Sequence, residues 1–435
     1  MGNMSKEEKV SNFLKSKNIL IVLSSSSERI ALKKICIDMG AQLKNISVSD
    51  TFVQAFTQFE KEKYHILLTQ REIKGGTCLD LFNLHKRRVP DRSEAMFGIL
   101  LDQESAEFTS FAQEDDIDFL MTRPYTAKGF KNNIEKNIIK KLNMDNIAKA
   151  YYKTLDVIEN QDLEAAHAMV QDFTSLGATP VLEFYLNGRF LRKKELFDDA
   201  ILEFQNVLKL EPKHFKSLIQ LFDLYHLTKN HTELAITGKR ILEDFPMHPK
   251  RIEGYLAALV ATGDHENMTE FINSVIGNDQ ISREVKSTLA AGLAISAKYY
   301  VSIDELKLAK EACEQVITFG RYNEKALLTS LNCLIDIKHE EVVHDLFKRI
   351  DLANISVGLM VIEYRMSHLN EEHQTVFVQG LDMIKKGIHD FHVYDILLKS
   401  ALGSGRKLAM IEDIIQKAIA NHSDRADHFK TYLPN

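Results

Sequence analysis

The residues best suited to chemistry are scattered along this 435-residue chain, and their spacings fail the geometry that common catalytic sites need. In His339-Glu340-Glu341-Val342-Val343-His344 the histidines are five positions apart. A zinc-binding helix sets them four apart, so that both imidazoles face one metal; a fifth step turns the second ring away. His389 and His392 share a helical face, a spacing that surface histidines also satisfy. Cys36, Cys78, Cys313 and Cys333 form no CxxC pair, which argues against a zinc site and a disulfide framework. The first two lie in helical patterns and read as small buried hydrophobes. Gly75-Gly76 marks a turn, and neither GxxxxGK[ST] nor GxSxG occurs. No helical histidine has the context of a phosphotransfer site. The expectation is a protein that is not an enzyme and carries no metal or cofactor.

The chain is long enough for two domains, or for one domain and a repeat array. Hydrophobic residues make up 45% and charged residues 27%, which supplies ample core material. A net charge of −6 gives no nucleic-acid footprint. There is no apolar run of about 18 residues to span a membrane. Residues 1–10 lack a signal-peptide core, and Gly2 with Ser5 is one position out of register for myristoylation. With the unpaired cysteines, this predicts a cytoplasmic protein.

Residues 18–125 alternate short apolar runs with amphipathic stretches. Ile19-Leu20-Ile21-Val22-Leu23 has strand length, and the serines at 24–27 are suited to start a helix over 29–39, stopped by Gly40. Strand patterns recur at 43–48, 66–68, 95–101 and 119–121, with helical patterns between them. Strand alternating with helix five times predicts a doubly wound α/β domain on a parallel sheet.

After residue 126 the strand patterns stop and helix follows helix. Pro212 and Pro246 are 34 residues apart. The stretch starting at Val181 carries Phe184, Gly188, Leu191, Ala200, Phe204 and Val207 before Pro212. The next, from Phe215, carries Leu218, Leu221, Phe222, Tyr225, Leu234 and Ile241 before Pro246. Residues 147–180 follow more loosely, and a later stretch from Glu324 has Leu327, Leu331, Leu334, Val343, Phe347 and Ile350 in frame. Small residues at the eighth and twentieth positions let paired helices approach. This pattern resembles the tetratricopeptide (TPR) repeat and implies an all-α superhelical solenoid. The signature decays after residue 250, where a non-repetitive helical bundle with the same period remains open.

Residues 17–140 resemble the receiver domain of bacterial response regulators, a flavodoxin-like fold, through Ile19–Val22, Tyr64-His65-Ile66-Leu67-Leu68-Thr69 and Asp118-Phe119-Leu120-Met121-Thr122-Arg123-Pro124-Tyr125. The resemblance implies a cis bond before Pro124. It also implies an acidic pair for Mg²⁺, an aspartate nucleophile, a hydroxyl residue and a lysine. Here the acidic pair falls on Ser24 and Ser25, the nucleophile on Gln70, the hydroxyl on Leu101 and the lysine on Arg123. An amide cannot form an acyl phosphate; Glu72 and Asp102 are the nearby acids. The resemblance is therefore to a phosphorylation-incompetent pseudo-receiver.

The expected organisation is a polar tail over 1–16, the receiver-like domain over 17–140, TPR-like repeats over 141–425 and a tail over 426–435. A rigid helix is expected to run through residues 128–155 from one domain to the next. The TPR frame places Tyr185, Arg189, Arg192, Lys193, Lys216, Ile219, Asp223 and His226 on the concave face, and the basic trio Arg189, Arg192 and Lys193 with Tyr185 suits an acidic or extended peptide. Arg189 and Gln220 stand where the chaperone-binding carboxylate clamp has asparagines. Receivers usually meet partners or dimerise through helices equivalent to 106–116 and 128–139. The charge runs 114–116 and 136–141 also read as solvated surface. The resulting expectation is a two-component signalling adaptor that binds a sensor kinase, response regulator or phosphotransfer protein, with neither nucleic acid nor membrane insertion. The alternative is a scaffold for a pilus, flagellar or secretion complex, with the receiver fold forming a homodimer.

Overall fold

The computed structural model describes residues 4–89, 91–104, 106–160, 162–276, 283–319, 322–347 and 356–433. The repeat position Ile350 lies outside them. The chain forms two compact units, Met1–Tyr255 and Leu256–Asn435.

In the first unit, β1 (Ile19–Val22), β2 (Ile46–Ser49), β3 (Ile66–Gln70), β6 (Met96–Leu101) and β7 (Phe119–Thr122) form one parallel sheet, ordered β2-β1-β3-β6-β7. A two-stranded antiparallel hairpin, β4 (Glu72–Ile73) with β5 (Gly76–Thr77), surrounds the expected Gly75-Gly76 turn. Counting only sheet strands, the order is 2-1-3-4-5, a common doubly wound arrangement. Alternate residues of β1 serve opposite layers. Ile19 and Ile21 pack with α1 (Lys6–Lys15), α2 (Ser26–Asp38) and α6 (Ala127–Leu142). Leu20 and Val22 pack with α3 (Phe52–Lys61), α4 (Cys78–Arg88) and α5 (Ala106–Asp115). Burial on both faces accounts for the continuous apolar strands. β2 begins later than the sequence pattern, because Leu43–Asn45 forms a 3-10 turn.

Two sequence expectations give way here. Residues 6–15, expected within a polar tail, form α1: Ser5 and Glu8 close a capping box, and Val10 and Leu14 are buried. The helix expected through 128–155 is divided. α6 ends at Leu142, and Asp145 caps α7 (Asn146–Glu159) by accepting from the Ala148 amide at 2.7 Å. The Arg123–Pro124 peptide is cis, as expected.

The rest of the first unit is helical: α7, α8 (Leu163–Ser175), α9 (Pro180–Lys193), α10 (Phe197–Leu210), α11 (Phe215–Leu227) and α12 (His231–Asp244). The unit ends within α13 (Pro249–Thr262). A Cβ on Gly188 would lie 2.8 Å from the Phe204 ring, so only glycine lets α9 and α10 approach this closely. The second unit continues with α14 (His265–Ile276), α15 (Arg283–Ser302), α16 (Leu306–Phe319), α17 (Glu324–Asp336), α18 (Glu340–Phe347), α19 (Val357–Asn370), α20 (His373–Lys385), α21 (Phe391–Gly403) and α22 (Leu408–Asn421). The short α23 (Ala426–Lys430) follows, where a tail was expected. Its Phe429 is fully buried, and Asp395 accepts from His428 and Tyr432. Glu195, Lys229 and Gly263, 34 residues apart in turn, all take positive φ at inter-helix turns; Asp304 and Lys338 repeat the interval. Among the described residues, no helix is long and apolar enough to cross a membrane.

Candidate functional site

The C-terminal ends of β1, β3, β6 and β7 lie side by side and carry the positions that the sequence resemblance aligned with receiver chemistry. Ser24, Gln70 and Arg123, three of those five positions, meet there. Gln70 Nε2 donates to Ser24 Oγ at 2.9 Å and to the Glu72 carbonyl at 2.7 Å, while its Oε1 accepts from the Ser24 amide at 3.2 Å. Arg123 Nη2 donates to the same Oε1 at 3.5 Å. Ser25 instead caps α2, accepting from the Glu28 amide at 3.2 Å. Leu101 is buried in β6, and its carbonyl accepts from the Arg123 amide at 2.8 Å.

Two nearby acids, Glu28 and Asp102, are committed to Arg123, while the exposed Glu72 carboxylate is not. Arg123 grips Glu28 through two hydrogen bonds, at 2.8 and 3.0 Å, and Asp102 at 2.8 Å. Tyr125 donates its hydroxyl to Glu28 as well. Burial alone would raise the Glu28 carboxyl, but the hydrogen bonds from Arg123 and Tyr125 and the arginine charge hold it below its usual range. The bond to Glu28 also pushes the Arg123 guanidinium up. Gln70 thus offers an amide nitrogen and oxygen already in use, and the Glu28 and Asp102 carboxylates already neutralise a cation. Glu28 was legible as the third residue after the Ser25 cap; Tyr125 had no sequence signal for this role.

Most of the expected peptide-binding residues of the helical region are also paired, Lys216 directly with the α/β layer of the same unit. Tyr185 is buried and accepts from Arg189 at 3.1 Å; Arg189 also donates to Glu159. Lys193 approaches Glu159 at 4.0 Å. Arg192 donates to Gln220 and lies 3.7 Å from Asp223. Lys216 donates to Asp116, at the end of α5. Asp223 accepts from Arg251 at 2.8 and 3.0 Å, and Arg251 reaches on to Glu114 at 2.7 and 3.0 Å. Lys250 also binds Glu114, at 2.7 Å.

The acidic run 114–116 is therefore neither plain solvated surface nor a vacant docking face. Three cations from α11 and α13 cover the end of α5. Burial would raise the Glu114 carboxyl, but the Arg251 hydrogen bonds and the charges of Arg251 and Lys250 bring it down to about 2. Lys141, in the basic run, is buried and bound to Asp118 at 2.6 Å. A cleft of about 520 Å³ remains beside these contacts, lined by Lys86, Asp115, Tyr152, Glu159, Arg189 and Lys216 among others. Lys250 was findable, since it lies one 34-residue repeat beyond Lys216. Arg251 and Glu159 were not singled out by the frame.

His339 Nδ1 lies 3.0 Å from Glu341, and His389 Nδ1 lies 2.8 Å from the Tyr394 hydroxyl. All four cysteines are buried and none forms a disulfide. Among the described residues there is no group of three or more metal-ligating side chains. No protein-family model matches the chain, and no curated protein matches it.

Proposed function

We propose that this chain is a non-catalytic two-component signalling adaptor, with a phosphorylation-incompetent receiver-like domain carried on TPR-like hairpins. The observation that carries the reading is Gln70 at the end of β3, hydrogen-bonded to Ser24 and Arg123 where a receiver needs aspartate, a carboxylate pair and lysine. The 2-1-3-4-5 strand order supports the receiver likeness. The 34-residue recurrence of positive φ, with the Gly188–Phe204 approach, supports the TPR likeness. Fold-level likeness points to the partner class, and the amide of Gln70, which cannot form an acyl phosphate, supports inactivity.

The domain presents a receiver-shaped surface to a sensor kinase, response regulator or phosphotransfer protein without accepting a phosphoryl group. Because the end of α5 is engaged inside the chain, the partner meets α2 and α3, where Ile30 and Val53 are 70% and 66% exposed. Affinity capture from the native cell, using the full-length chain beside its Ile30→Glu/Val53→Glu variant, tests this reading. Recovery of a two-component protein by the wild type, lost with the variant, supports it. Recovery of envelope or motility components instead would replace it with a scaffold.

A further inference from the structure

Beside the 520 Å³ cleft, and sharing Arg92, Asp116 and Tyr152 with it, lies a smaller recess of about 230 Å³. Its wall includes Arg92, Gln113, Asp118, Lys140, Lys141 and Tyr152. Arg92 is 7% exposed. Its Nη1 donates to His85 Nδ1 at 3.0 Å, while His85 Nε2 faces the Tyr64 carbonyl at 3.0 Å. Burial and the arginine charge keep that imidazole neutral, so Nε2 donates to Tyr64 and Nδ1 accepts from Arg92. The other edge of the guanidinium is unsatisfied. Nε and Nη2 are buried without a hydrogen-bond partner, and Nη2 comes only within 3.5 Å of Asp118.

Asp118 cannot supply what is missing. One of its oxygens accepts from Lys141 at 2.6 Å and the other from the Phe97 amide at 2.7 Å. Lys141 also donates to the Arg92 carbonyl at 2.8 Å. Two buried cations therefore share one carboxylate, and Asp116, the other acid on the wall, is held by Lys216. Lys140 adds a third cation from an exposed position on the wall. Buried unpaired donors are rare, and a buried excess of positive charge is costly. An Nε–Nη edge is the donor pair that takes two oxygens of a carboxylate or phosphate in parallel.

We propose that this recess is a binding site for a small oxyanion, held by the open edge of Arg92 with Tyr152 and Lys140 as further donors. The volume admits inorganic phosphate or a short organic acid; drug-sized ligands need about 300–1,000 Å³. The wall comes from α5, α6, α7 and the loops that precede β6 and β7, so the ligand joins the α/β layer to the first helix beyond it.

The test is calorimetric titration and thermal unfolding of the full-length protein, with sodium phosphate, sodium malonate and sodium chloride at matched ionic strength. Saturable binding of phosphate or malonate, with a raised Tm and no effect of chloride, is expected; whichever oxyanion binds identifies its class. Arg92→Lys, which keeps the charge but loses the fork, should weaken binding by about tenfold or more. Lys140→Ala lies outside the Arg92–Asp118–Lys141 network and should weaken it severalfold, which covers the case of Arg92→Lys failing to fold. No saturation at millimolar phosphate or malonate, or unchanged binding in both variants, overturns the proposal.

Discussion

Arg251 donates two hydrogen bonds to Glu114, at 2.7 and 3.0 Å, across 137 positions of sequence. Its side chain is 2% exposed and that of Glu114 13%, so the pair joins the end of α5 to α13 almost out of water. The same guanidinium also holds Asp223 on α11. One arginine of α13 thereby ties the α/β layer to α11.

Removing Arg251 leaves Glu114 with Lys250 alone and Asp223 with only the 3.7 Å approach of Arg192, which costs more than removing the charges together. Arg251→Ala should destabilise the first unit by about 3–5 kcal/mol in urea unfolding. Arg251→Met combined with Glu114→Gln and Asp223→Asn should cost clearly less. Equal losses in the two proteins would mean that the charges are not coupled.

Stability should fall in two acid steps. Burial, then the charge of Lys250, lowers the His248 imidazole to about 4. Between pH about 6.5, where the unfolded residue gains its proton, and about 4, the unfolded chain binds more protons and stability declines with falling pH. The Glu114 carboxylate, held at about 2, stabilises the fold fully above about 4.5; that contribution disappears as pH falls from there through about 2. Each step is worth roughly 3 kcal/mol. Urea midpoints measured against pH check this: His248→Gln should flatten the upper step, and Glu114→Gln the lower.

Packing between α9 and α10 rests on the absence of a side chain at Gly188. Alanine elsewhere in a helix gains up to about 1 kcal/mol over glycine. Here its Cβ meets the Phe204 ring at 2.8 Å, and overpacking costs about 1–3 kcal/mol. Gly188→Ala should lower Tm, and Gly188→Val should lower it further.

The sheet was legible because β1, β3 and β6 are buried on both faces and read as unbroken apolar runs. Helix α1 was hidden by its polar composition, with only Val10 and Leu14 turned inward one turn apart. The hairpin turns carried no glycine signal at Glu195, Lys229, Asp304 or Lys338, although the backbone there is left-handed. That Ser24, Gln70 and Arg123 lie together followed from their places after β1, β3 and β7. The pairing of Glu114 with Arg251, and of Arg123 with Glu28, joins elements distant in sequence, and no local pattern encodes which charges will meet.

The central claim, a receiver-like domain without phosphoryl chemistry, is tested most directly by incubating the full-length chain with labelled acetyl phosphate and Mg²⁺. Its Gln70→Asp variant runs alongside, and acid-labile incorporation is measured. The account predicts no incorporation in either: the wild type offers an amide, and the variant still has Ser24 and Ser25 in place of the Mg²⁺-binding acids, with Arg123 bound to Glu28 and Asp102. Stoichiometric labelling of the wild type within residues 17–140 would contradict it.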